Sequence, residues 1–250
     1  MSNSIKTLTG TKRTLASIPG ILSCGFAAGL LITTPTAQAA TNFQIIDGFN
    51  KTVFGAEYSP FGIQTKYIRK FRGTVRFHIH NGSSLNRRSR VRSFISGLNS
   101  QIKGLKTEIV SSRAKANFSV YIVDRKDYAS TVKKSIYRNE RAKAPGKCFV
   151  RSVFTTNGIV RSDAIIVSDE GESLFKRCMI EEILQGLGPL NEHTSLHQSM
   201  FNDRSRHINF TKFDRYILNM LYDPRLKVGM PMSKVQPLLP SVLGDIRKRF

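Results

Sequence analysis

Between residues 74 and 188 the spacing of apolar side chains switches repeatedly between a period of two and a helical period. That succession limits the chain to a sheet with helices packed on it. In TVRFHIHNG (74–82) Val75, Phe77 and Ile79 alternate with Arg76, His78 and His80, which predicts a strand with one polar face, ended by Asn81 and Gly82. RVRSFISGLNSQIKGL (90–105) carries Val91, Phe94, Ile95, Leu98, Ile102 and Leu105 at helical spacing. NFSVYIVD (117–124), KCFVRSVF (147–154) and DAIIVS (163–168) read as further strands, with Asn157 and Gly158 in a turn. DYASTVKKSIYR (127–138) predicts a helix. LFKRCMIEEILQGLG (174–188) predicts an amphipathic one, with Glu172 near its start and Gly188 at its end. TKFDRYILNMLYD (211–223) is a last clear helix, stopped by Pro224, and SVLGDIRKR forms a short one in the tail. Residues 41–70, rich in Gly and aromatic side chains, read as a short helix and a loop. Helices between and after strands give an α+β domain with a small mixed sheet. Without repeats or a linker, residues 40–250 are expected to form one domain.

The first 39 residues set the compartment. Lys6, Lys12 and Arg13 stand in a stretch without acids, an apolar run covers 18–32, and Ala37, Gln38 and Ala39 form an A-x-A cleavage site. That order is the secretory signal-peptide pattern. The run is shorter than the roughly 20 residues that span a bilayer, and no later stretch is apolar enough to do so. A secreted or periplasmic protein, cleaved near Ala39, is expected. Cys148 and Cys178 then remain, and an oxidising compartment joins such a pair most simply as a disulfide; the other reading is two buried thiols.

Charge is concentrated in one half. Residues 66–151 hold 22 basic and 4 acidic side chains, a net of +18, whereas 152–250 hold 13 and 11. Such a field attracts anionic partners, and Arg87, Arg88, Arg90 and Arg92 with Lys133 and Lys134 are the candidate anion-binding residues. Export and the absence of a recognition motif argue against nucleic acid as the physiological partner.

The stretch EEILQGLGPLNEHTSLHQSMFND (181–203), followed by TKFDRYILNMLYD, resembles the zincin metallopeptidases, in particular the metzincins with their H-E-x-x-H-x-x-G-x-x-H pattern. In that pattern two histidines on one helix face hold Zn²⁺, the Glu between them acts as general base, and the glycine turns the chain to bring in a third ligand. Here Glu181 stands at the first histidine, Glu182 matches the base, Gln185 stands at the second histidine, Gly188 matches the glycine and Asn191 stands at the third histidine. Ser199, Met200 and Phe201 resemble the methionine turn, and Asp214 and Tyr222 the closing helix. The resemblance implies a zincin-like mixed sheet with an active-site-type helix and a C-terminal helix. GFNKTVFGAEY (48–58), RFHIH, CMIEEILQGLG, SMFND and LYDPRLKVGM (221–230) also resemble a bacterial family of exported proteins and lipoproteins known only as a domain of unknown function.

Glutamine and asparagine are poor neutral ligands for Zn²⁺, so loss of all three imidazoles should abolish tight zinc binding here. His193 and His197, four apart, are weak metal candidates, as are His78 and His80 on one strand face. A Gly-rich phosphate loop and a G-x-S-x-G elbow are both missing from the sequence, and no cofactor is expected. The sequence therefore leads to an exported envelope protein with a degenerate zincin-like cleft, non-catalytic, binding an anionic envelope component such as a glycan or lipid headgroup. Two alternatives stay open: a hydrolase using Glu182 as general base, and a structural partner in an envelope assembly.

Overall fold

The most apolar strand becomes the centre of the sheet. FSVYIV, Phe118–Val123 (β3), is buried at every position and lies between Val75–Asn81 (β1) and Gly158–Val167 (β5), parallel to both. A strand covered on both faces reads as a continuous apolar run, whereas β1, with one polar face, alternates. Thr107–Ile109 (β2) adds a short parallel edge beside β1, and Phe149–Thr155 (β4) an antiparallel edge beside β5, giving the order β2-β1-β3-β5-β4. The computed structural model describes residues 39–55 and 66–250. The expected signal peptide lies outside the described residues except for Ala39, and so do Tyr58 and Phe61. Ala39–Phe250 forms one compact unit.

Strand alternation sorts the helices onto two layers. Phe77, Ile79, Phe118, Val120, Ala164 and Ile166 share a core with Arg88–Gln101 (α2), Glu172–Gln185 (α4) and Lys212–Leu221 (α5). Tyr121, Val123, Ile165 and Val167 meet Tyr128, Val132 and Ile136 from Arg125–Thr131 (α3) and the wider π-helical turn Val132–Tyr137 that continues it. Asn42–Val53 (α1) packs on α5 and on Leu239–Arg247 (α7), with Met232–Val235 (α6) just before. α1 starts on a capping box in which the Thr41 hydroxyl accepts from the Gln44 amide and the Gln44 side chain accepts from the Thr41 amide. Buried Arg69 donates to the carbonyls of Val53 and Gly55 and lies over the Phe154 ring, tying the end of α1 to β4.

The α+β class, the mixed sheet running into α4 and the C-terminal helix agree with expectation. Among the strands two differ. β2 was not expected, and β5 begins at Gly158 rather than 163, because its first half pairs with the bulged end of β4. Cys148 and Cys178 are joined, with Cα atoms 5.7 Å apart, so the start of β4 is bonded to the middle of α4. No helix among the described residues is long and apolar enough to cross a membrane.

Candidate functional site

Glu181, Glu182 and Gln185 are 4, 6 and 4% exposed, an unusual run of buried polar residues on one helix. They line a cavity of about 210 Å³ between α4, β4 with its lead-in segment and the loop after α4. Arg177 stands one turn before Glu181, and its Nη2 donates to Glu181 Oε1 at 2.7 Å. The same guanidinium donates to the carbonyls of Asn202 and Ser205, at 3.1 and 2.6 Å, and so draws the loop over the cleft. Gln185 Nε2 donates to Glu192 Oε1 at 2.6 Å. Glu181, Glu182, Glu192 and Asp203 make the lining acidic, against Arg177 and Lys147, in a chain whose net charge is +22. Tyr128 donates to the Pro145 carbonyl; burial pushes its hydroxyl pKa up, and the nearby Glu182 charge pushes it further.

The turn beyond α4 is built by the positions that resemble the metzincin frame. Gly188 has φ +146, and a Cβ there would lie 2.6 Å from both the Arg69 carbonyl oxygen and Leu221 Cδ2, so only glycine fits. Tyr222 Oη donates to the Leu187 carbonyl at 2.9 Å, fixing the exit of α5 to the exit of α4. Met200 is fully buried, and its amide donates to Asp214 Oδ2 at 3.0 Å, beside the Ser199 hydroxyl on Oδ1 at 2.5 Å. These residues position the cleft and are not part of its lining.

Asn191 departs from expectation. Its Nδ2 donates to the Lys51 carbonyl at 2.8 Å and its amide to the Thr52 carbonyl at 3.2 Å, so it faces the end of α1 and not the cleft. Glu181 and Gln185 do share the cleft, and Glu192, one residue further on, takes the place expected of Asn191. The donor set does not fit zinc. Among the described residues the cluster of possible metal ligands is Cys148, Glu181 and Glu182, and the Cys148 sulfur is committed to the disulfide, which leaves no thiolate. One of the two remaining carboxylates is held by Arg177.

A family model described as a protein of unknown function, DUF2927, matches residues 42–241. The chain belongs to the DUF2927 family. The match runs from the start of α1 into α7 and takes in every wall of the cleft. No curated protein matches the chain.

In this DUF2927 domain the candidate basic residues separate into two groups. Arg87 and Arg90 both pair with Glu172 at the first turn of α4, and Arg87 lies 4.6 Å from the centroid of the Phe175 ring. They anchor α2 to α4. Arg88, Arg92 and Lys134 are exposed and Lys133 partly so. Lys133 and Lys134 sit on the turn that packs on the sheet face opposite α2, so the candidates do not form a single patch. His193 and His197 lie in a non-helical loop. His193 Nδ1 meets the Ser195 hydroxyl at 2.8 Å, and His207 Nε2 meets the His197 carbonyl at 2.9 Å. On β1, burial lowers the pKa of His78, with help from His80, Arg88 and Arg113. Sequence reasoning missed Arg177, Glu192 and Asp203 as cleft residues. Arg177 alone had a signal, its placement one helical turn before Glu181.

Proposed function

We propose that this DUF2927 protein is an exported envelope protein that binds rather than cleaves. Its zincin-like cleft is degenerate and non-catalytic, and its exposed basic residues engage an anionic envelope component, a glycan or lipid headgroups. What supports this reading most is how the motif residues are used: Glu181 is paired with Arg177 and Gln185 with Glu192, so the polar groups at two of the positions that resemble zinc ligands are already hydrogen-bonded to neighbouring side chains. Exposed cations such as Arg88 and Arg92 remain turned to solvent.

The test is cosedimentation with vesicles containing anionic lipid, and retention on an anionic glycan, at low and high salt. Each surface cation near an anionic membrane contributes about 1 kcal/mol. The variant Arg88→Ala/Arg92→Ala/Lys133→Ala/Lys134→Ala should therefore bind at least about tenfold more weakly at low salt. The difference should shrink as salt screens the charges. Equal binding by variant and native protein would sink the electrostatic reading.

One observation favours the hydrolase reading: Glu182 lines a cavity large enough for a small polar group. On that reading a screen of hydrolase substrates finds a turnover that Glu182→Gln abolishes without loss of fold. The binding reading expects native protein and variant to be equally inactive.

A further inference from the structure

A second pocket, of about 1040 Å³, shares no lining residue with the cleft. Segments 70–72, 103–104 and 222–228 and the end of α7 meet around it. Its buried lining combines the apolar Phe71, Tyr222 and Leu226 with the polar Lys70, Asn219 and Asp223. Its charged lining consists of six cations, Lys70, Arg72, Lys103, Arg225, Lys227 and Arg249, against the two acids Asp223 and Asp245.

Both acids are already paired, Asp223 and Asp245 with Arg225 and Asp245 also with Lys248 at 3.2 Å, a residue outside the pocket lining. Arg225 grips Asp223 through Nε at 2.8 Å and Nη2 at 2.9 Å, and reaches Asp245 through Nη1 at 3.0 Å. Among the described residues none of the other five cations forms an ion pair. Lys70 is the buried one. Its Nζ donates to the carbonyls of Leu221 at 2.7 Å and Asp223 at 3.3 Å, and sits 5.6 Å from the centroid of the Tyr222 ring. Carbonyls accept its hydrogen bonds without neutralising its charge, and burial draws its pKa down to about 8. The rim is fixed as firmly as the floor. Gly104 has φ +87 and packs so closely on the exit of α5 that a Cβ would lie 2.5 Å from the Tyr222 carbonyl oxygen. Asn219 Oδ1 accepts from the Lys103 amide at 3.0 Å.

We propose that this pocket binds a phosphate-bearing ligand with an apolar body. Cations converging from several chain segments suit a group with several anionic oxygens, and the planar fork of arginine suits it best. The apolar lining leaves room for a ring or hydrocarbon. A lipid headgroup and a free phosphorylated small molecule share that chemistry. The assignment goes beyond the surface reading and does not rest on it, because Arg88, Arg92, Lys133 and Lys134 lie outside the pocket.

Calorimetric titration of the purified protein with inorganic phosphate, glycerol 3-phosphate and dihexanoylphosphatidylglycerol below its micellar concentration tests it. One ligand should bind per chain, with the lipid about tenfold tighter than glycerol phosphate because it alone fills the apolar lining. Equal affinities would show that the apolar lining is not used and would overturn the apolar-body part of the proposal, leaving a site for a phosphate group alone. In either case Lys103→Glu/Lys227→Glu/Arg249→Glu, three exposed positions, should weaken binding by at least about tenfold while the circular dichroism spectrum is kept. The alanine triple variant should show a smaller loss in the same direction. The quadruple variant of α2 and the π-helical turn should titrate like the native protein, which separates this site from the surface. No saturable binding of any probe by the native protein, or unchanged affinity in both triple variants, would overturn the proposal.

Discussion

Replacing Cys148 and Cys178 together by serine should lower the unfolding free energy by about 3–4 kcal/mol. The cysteines are 30 residues apart, and a cross-link of that span restricts the unfolded chain by this amount on chain-entropy grounds. A second effect acts in the same direction. Cys178 is fully buried in the main core, and a serine hydroxyl there exchanges apolar contact for a polar group that needs a partner. The bond also holds β4 to α4, the two rigid walls of the cleft, so the loss should fall first on the cavity. Urea unfolding followed by circular dichroism, on the native protein with and without reductant and on the double variant, measures the effect. The midpoint should drop, and the slope should rise because the freed unfolded chain exposes more surface. Coincident curves would mean that the sulfur bridge does not hold the fold.

Asp214→Ala should cost about 3–5 kcal/mol. The Asp214 carboxylate is fully buried and accepts from the Ser199 hydroxyl, the Met200 amide and the Thr211 hydroxyl. Thr211 in turn caps α5 by accepting from the Asp214 amide at 3.1 Å. Alanine would strand those donors away from water and release the turn containing Met200, whereas Asp214→Asn keeps an acceptor and should cost much less. Burial raises the Asp214 pKa above the ordinary 3.8, although its hydrogen bonds oppose this. The folded state therefore holds this proton to higher pH than the unfolded state does. The contribution of Asp214 to stability is fully present below about pH 3.8, declines as pH rises through the elevated folded value, and is flat beyond it. Subtracting the stability–pH curve of Asp214→Asn from that of the native protein should isolate this decline. A difference that rises with pH would contradict the sign of the shift.

What the sequence disclosed follows from how far each signal reaches along the chain. β1, β3, α2, α4 and α5 bury one face or both, and burial writes a period that can be read locally. β2 left no such mark because it is three residues long and joins the sheet only as an edge beside β1. At the cleft, Glu181 and Gln185 were readable because one helix face carries both. Glu192 and Asp203 arrive on a loop whose path depends on Arg177 and Gly188, and no spacing rule encodes that. Asn191 misled because the free carbonyls at the end of α1, far away in sequence, offered it a better partner than the cleft did. The arginine run at 87–92 was visible as charge, but its use was not, since Glu172 lies some 80 residues downstream.

The strand order also bears on the sequence of events in folding. Joining β1 to β3 or β3 to β5 brings together residues roughly 40 positions apart, such as Phe77 with Phe118 and Phe118 with Ser162. β4 and β5 are joined by a tight turn, and the sulfurs that fasten α4 to that hairpin are 30 residues apart, fewer than separate the partners of the parallel strands. Chain-closure entropy rises with separation, so local pairings form quickly and parallel ladders slowly. The hairpin and α4 follow one another directly along the chain, and they are expected to meet before the parallel strands register. The walls of the cleft would then be the template on which the rest of the sheet is laid down.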